Sequence, residues 1–150
     1  MSEFPGRILA LDLGDARIGL ALSDPLGITA QPLGNVDARS PAADVRRVRA
    51  IIAEHEVVTV VVGLPLHLSG ESGPRAEQAR KFARRLADAA PGVSVELWDE
   101  RLTTAEAERA MIAGNVRRRR RREVIDSLSA VLILQSYLDA RSIREASPSR

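Results

Sequence analysis

The amino-acid sequence predicts an α/β domain on a mixed sheet of about five strands, three antiparallel and then parallel, flanked by helices. Three observations lead there. RILALDL (residues 7–13) and RIGLALS (residues 17–23) are strand-like apolar runs with only a turn between them. VVTVVVG (residues 57–63) is continuous and β-branched, as strands buried on both faces are. Beyond residue 40, helix-period segments alternate with strand-like runs, the pattern of β-α-β units. A chain of 150 residues suffices for one such domain with a real core and is too short for two.

The first two runs read as a hairpin joined at Gly14-Asp15, a good two-residue turn. GITAQPLGNV (residues 27–36) supplies a third strand, and its Pro32 suggests an edge position or a bulge. In SPAADVRRVRAIIAEH (residues 40–55), Ser40 is an N-cap and Pro41 opens a helix with Val45, Val48 and Ile52 on one face. After the 57–63 strand comes the loop LPLHLSGESG (residues 64–73). Pro74 then opens a second helix, with Ala76, Ala79, Ala83 and Leu86 on its inner face. VSVELW (residues 93–98) is the next strand. TTAEAERAMIAG (residues 103–114) reads as a helix with a capping box from Thr103 to Glu106 and a stop at Gly114. EVIDSLSAVLILQSYLDA (residues 123–140) is a long helix, apolar over most of its circumference, that packs deep. The expected organisation is one domain over residues 1–140 with a disordered tail over 141–150.

Composition narrows the function. The absence of cysteine removes disulfides, thiolate metal sites and a cysteine nucleophile together. No apolar run is long enough for a membrane span, and MSEFPGR lacks the pattern of a signal peptide, so a cytoplasmic protein is expected. Arginine supplies 21 of the 22 basic residues, and six form one block: Arg117, Arg118, Arg119, Arg120, Arg121 and Arg122. Without that block the balance is 16 basic against 20 acidic residues, so the positive charge is local. Such a block suits phosphate backbones, although a solvated arginine-rich loop has the same composition.

Three carboxylate positions stand out. Asp12 shares a strand face with Ile8 and Ala10, where an unpaired carboxylate costs several kcal/mol or shifts its pKa. It needs an arginine partner, a hydrogen-bonded turn or a metal, and capping the hairpin or pairing with Arg17 would also explain it. Asp99 and Glu100 stand at the end of the fifth predicted strand, where open α/β sheets bind ligands. Asp126 lies in the first turn of the long helix, where the helix dipole also favours it. Together, three carboxylates at one sheet edge suit hard divalent cations such as magnesium. Two such ions activate water and stabilise the leaving oxygen of a phosphodiester. His55 and His67 lack metal-ligand spacing; the first reads as a helix end, the second as a loop residue. The 64–73 loop lacks the Gly-Lys-Ser/Thr ending of a P-loop, which argues against a nucleotide cofactor.

Four stretches in order, LDLGDARIGLALSD, VVGLPLHLSGESG, DERLTTAEAE and DSLSAVLIL, resemble the YqgF/RuvX family over residues 11–134. The resemblance implies a ribonuclease H-like fold. The family is described both as a Holliday-junction resolvase and as a nuclease maturing the 5′ end of pre-16S ribosomal RNA. The resemblance implies that Asp12, the pair Asp99–Glu100 and Asp126 form a divalent-metal site, with supporting roles for Arg17, Arg101 and the Gly63–Gly70 loop. This chain has His67 where the family usually has asparagine, and Ser129 in place of an alanine of the last motif.

The resulting expectation is a metal-dependent nuclease acting on RNA or DNA. Asp12, Glu100 and Asp126 would hold two Mg2+ or Mn2+ ions. Asp99 would stand behind Glu100, orienting Arg101, or serve as a further ligand. Arg17, Arg101 and Arg117–Arg122 would hold the substrate backbone. Alternatives are a branched-DNA resolvase and a non-catalytic nucleic-acid-binding module. An ATPase of the sugar-kinase type would need two such domains. No membrane partner is expected, and a homodimer is compatible with the sequence.

Overall fold

The computed structural model describes residues 6–103 and 127–146, with side chains to residue 143. Its strands are β1 (Arg7–Leu13), β2 (Arg17–Ser23), β3 (Ala30–Asp37), β4 (Val57–Leu64) and β5 (Ser94–Asp99). Its helices are α1 (Pro41–His55), α2 (Pro74–Ala89) and α3 (Leu128–Ala146), and a short 3₁₀ turn (Glu100–Leu102) follows β5. The helix expected over 103–114, the arginine block Arg117–Arg122 and Asp126 lie outside the described residues.

The strands form one sheet in the order β3-β2-β1-β4-β5. β1 pairs antiparallel with β2 and parallel with β4, and β4 pairs parallel with β5. β1 is thus the central strand and joins the two halves. Pro32 does sit on the edge strand β3, at the register shift opposite Leu20 and Ala21, where no ladder hydrogen bond is required of it.

Strand alternation divides the core into two layers. Leu9, Leu11, Val60 and Val62 face α1 and α2, packing against Val48, Ala79 and Leu86. Ile8, Ala10 and Val61 face α3, packing against Ala130, Ile133 and Leu134. α1 starts as its sequence dictates: the Ser40 hydroxyl accepts the Ala43 N–H at 3.2 Å, and Pro41 occupies the first turn. On the other layer, Trp98 donates to the Ser136 hydroxyl at 3.2 Å and stacks edge-on against Tyr137 at 5.4 Å. Ser136 in turn donates to the Leu102 carbonyl at 3.1 Å. These bonds hold the end of β5 and its following turn against α3.

Two boundaries differ from expectation. The hairpin turn falls one residue later than Gly14-Asp15: Leu13 pairs with Ile18 and the Gly14 N–H bonds the Arg17 carbonyl at 2.9 Å, which leaves Asp15 and Ala16 as the two-residue loop. α3 runs to Ala146, so residues 141–146 of the expected tail are helical. The sequence there offers good helix formers and no breaker before Pro148. Among the described residues, no helix is long and apolar enough to cross a membrane.

Candidate active site

Asp12 stands near the C-terminal end of β1, paired with Gly19 and pointing to the α3 side with Ile8 and Ala10. Glu100 opens the 3₁₀ turn after β5. Between their strands lies β4, whose Gly63 pairs with Trp98. A Cβ built on Gly63 would stand 3.3 Å from Cδ and Cγ of Glu100 and 2.6 Å from Cδ1 of Ile133. The missing side chain at Gly63 is what lets Glu100 lie across β4 toward Asp12.

Both carboxyls are held above their ordinary range, and the charge of Asp12 contributes at Glu100. Burial raises the Asp12 carboxyl above its ordinary value, opposed by Arg75 and by a hydrogen bond from the Ser129 side chain. Burial also pushes Glu100 up to about 7; the negative charges of Asp12 and then Asp99 add to this, and Arg75 works against it. Two like charges with too little compensating charge make a site that holds protons or a cation. The donor set is all oxygen and fits a hard divalent cation. Among the described residues, no group of three potential metal-binding side chains comes together; Asp126, the third carboxylate expected from the sequence, lies outside them.

Asp99 behaves differently from its neighbour. The strand ends at Asp99, so simple alternation does not carry through to Glu100. The Asp99 carboxylate instead accepts from Nε and Nη2 of Arg101 at 3.0 and 2.7 Å and from the Arg101 backbone N–H at 2.9 Å. The Arg101 guanidinium holds Asp99 below the usual carboxylate range. Arg101 Nη1 also donates to the Leu68 carbonyl at 3.4 Å, tying the 64–73 loop to the end of β5. Within that loop, Leu66 bridges Ser72, and the His67 ring lies against Gly73, its Nε2 2.8 Å from where a Cβ would stand.

Arg17 lies exposed at the start of β2, in register with Asp37, and forms no ion pair with Asp12 among the described residues. Among the described residues, the cation facing both carboxylates is Arg75, in the first turn of α2, which also stands 4.0 Å from Asp15. Sequence reasoning missed Arg75. Its only signal there was a position directly after Pro74, at the mouth of a helix that follows a parallel strand. Ser129 was noted only as a departure, and its bond to Asp12 depends on where α3 docks.

A mixed sheet whose central strand carries an aspartate, with a glutamate in the turn after the far parallel strand, is the arrangement of a ribonuclease H-like nuclease fold. RuvC of Thermus thermophilus, solved in complex with a Holliday junction substrate, has this fold with a TM-score of 0.59 at 16% identity, over 92% of this chain and 96% of that one. The fowlpox virus Holliday junction resolvase matches with a TM-score of 0.53 at 13% identity, over 89% of this chain and 99% of that one. Within the fold, the chain belongs to the RuvX family, whose sequence model, described as "Holliday junction resolvase", matches residues 6–140. A protein of Pelotomaculum thermopropionicum named "Putative pre-16S rRNA nuclease" is 52% identical over 143 residues, covering 93% of this chain and 92% of its own. A Myxococcus xanthus protein of the same name is 52% identical over 134 residues, covering 89% and 88%.

Proposed function

We propose that this chain is a divalent-metal-dependent nuclease that hydrolyses phosphodiester bonds, acting in the cytoplasm in 5′-end maturation of pre-16S ribosomal RNA. The observation that carries the reading is the approach of Glu100 to Asp12, two carboxylates whose proton affinity burial raises, with the charge of Asp12 raising that of Glu100 further. A binding module would gain nothing from that arrangement and would bear its cost. The names of relatives about 50% identical over most of both chains favour the ribosomal RNA substrate.

In this reading Asp12, Glu100 and Asp126 hold two Mg2+ or Mn2+ ions, and residues 1–140 carry the nuclease domain. Bound divalent ions supply the Lewis acidity and positive charge that phosphodiester hydrolysis requires. The chain does the rest. The Ser129 hydroxyl orients Asp12. Gly63 leaves room for Glu100. Asp99 and Arg101 fix the 64–73 loop beside the carboxylates. Arg17, Arg101 and Arg117–Arg122 supply positive charge for the substrate backbone.

A second reading, cleavage of branched DNA, is favoured by the description of the family model and by the fold shared with junction resolvases. One panel separates the two: pre-16S RNA, single-stranded RNA, single-stranded DNA and four-way junctions, each with magnesium, manganese or chelator. Metal-dependent cutting at the 5′ end of the RNA precursor is expected. Cutting of junctions alone would move the assignment to the resolvase. No cutting in any arm, with binding retained, would overturn the nuclease reading.

A further inference from the structure

Away from the carboxylates, on the α1–α2 side of the sheet, lies a cleft of about 380 Å3 between the β1–β2 turn, the start of α1 and one face of α2. Gly14 and Asp15 form one wall, Arg39 another, and Lys81, Phe82 and Arg85 a third. Its charge is unbalanced. Of its two acids, Asp44 is buried and accepts the Arg39 backbone N–H at 3.0 Å, and Asp15 stands 4.0 Å from Arg75. The side-chain cations of Arg39, Lys81 and Arg85 pair with no carboxylate among the described residues.

The cleft is also connected to the catalytic end. Arg75 and Arg85 belong to one stripe of α2, with Gln78 and Phe82 between them. At about 1.5 Å per residue the stripe spans roughly 15 Å, room for more than one phosphate of a single strand. At its upper end Arg75 faces Asp12 and Glu100. Its lower end opens into the cleft through Lys81 and Arg85. Arg75 therefore stands where a chain leaving the carboxylates would cross the sheet edge toward the cleft.

We propose that this cleft is a second, sequence-independent binding site for the phosphate backbone of a single-stranded nucleic acid, receiving the arm of the substrate that leads away from the scissile bond. The charge selects a polyanion, and the cleft offers no exposed aromatic face to read bases, since Phe82 is buried in its floor. The site deepens the nuclease reading and rests on it for the identity of the strand as substrate.

The test is binding without cleavage. Labelled single-stranded oligonucleotides of increasing length are titrated by fluorescence anisotropy in chelator, at several salt concentrations. The proteins are the wild type, Lys81→Ala/Arg85→Ala, and the charge-matched control Arg49→Ala/Arg84→Ala, whose residues are exposed and do not line the cleft. Two lost phosphate contacts should flatten the log–log salt slope by about 1.4, at ~0.7 per contact. They should weaken long oligonucleotides about tenfold, short ones less, and the control should match wild type. All melting temperatures should agree, because Lys81 and Arg85 are exposed. An equal slope in the cleft variant and the control overturns the proposal. So does an equal loss for mononucleotide and long strand, which would mark an isolated phosphate pocket. A cleft variant that loses slope while wild type cuts nothing in the cleavage panel would overturn the nuclease reading and leave the cleft standing.

Discussion

Glu100 lies against the bare backbone of Gly63: a Cβ on the glycine would stand 3.3 Å from the Cγ and Cδ of the glutamate. Gly63→Ala must shift the Cδ1 of Ile133, 2.6 Å from the new Cβ in a residue only 1% exposed, and it presses on Glu100 as well. Overpacking of this size costs about 1–3 kcal/mol. Under the proposed role of Glu100 as a metal ligand, cleavage should fall at least tenfold, more than a strained core alone would cause. Thermal melts and single-turnover rates separate the effects. A variant that melts lower but cuts at the wild-type rate would show that Ile133 alone absorbs the change and that Glu100 does not depend on the glycine for its place.

Asp12→Asn keeps the shape of the side chain and removes its charge. Burial penalises that charge in the absence of metal, so the metal-free melting temperature should hold or rise slightly while cleavage is abolished. Wild-type cleavage in the variant would remove Asp12 from the chemistry.

The raised carboxyls make stability depend on pH in a definite direction. Glu100 takes up its proton near 7 in the folded chain against 4.5 ordinarily. Between those values the folded state binds more protons than the unfolded one, so stability falls as pH rises through the window. Asp12 acts in the same sense. With solvent still reaching the site, the loss is about 2 kcal/mol, or roughly 5 °C for a domain of this size. Glu100→Gln should flatten the metal-free melting profile between pH 5 and 8. Added magnesium or manganese should stabilise more at pH 8 than at pH 5, because the ligands must first lose their protons. A flat wild-type profile would contradict this account.

Asp99 and Glu100 should separate on substitution. Glu100→Ala should lose activity outright. Asp99→Ala frees Arg101 from its two-pronged bond and loosens the 64–73 loop, so it should raise KM several-fold and leave kcat within a few-fold. The reverse pattern would assign the ligand role to Asp99.

Much of this molecule is written locally. Ser40-Pro41, Pro74 and the β-branched run at 57–63 state their structure in a few residues, and the elements they announce are there. Asp12 was legible because a carboxylate among apolar strand residues is a contradiction within seven residues. What could not be read depends on docking. The course of Glu100 is set by a turn and by a vacancy on β4, and the place of Arg75 depends on where α2 lands. The hairpin turn sits at Asp15-Ala16 and not at Gly14-Asp15 because one hydrogen bond, Gly14 to Arg17, sets the register.

The central position of β1 also orders assembly. Its antiparallel neighbours β2 and β3 follow it directly in the chain, whereas β4 and β5 join only after the intervening helices have been closed over. Local pairing at low loop-closure cost comes first and the parallel half later. On that order Asp12 would be placed with the early meander, and Glu100 would arrive with the last strand. The repulsion between them is absent from the partly folded chain and enters only as folding completes. It acts as a spring compressed by the final step, so its release belongs to the unfolding rate. Asp12→Asn should slow unfolding of the metal-free chain and leave the folding rate nearly unchanged, which would mark the two carboxylates as a kinetic liability of the folded chain.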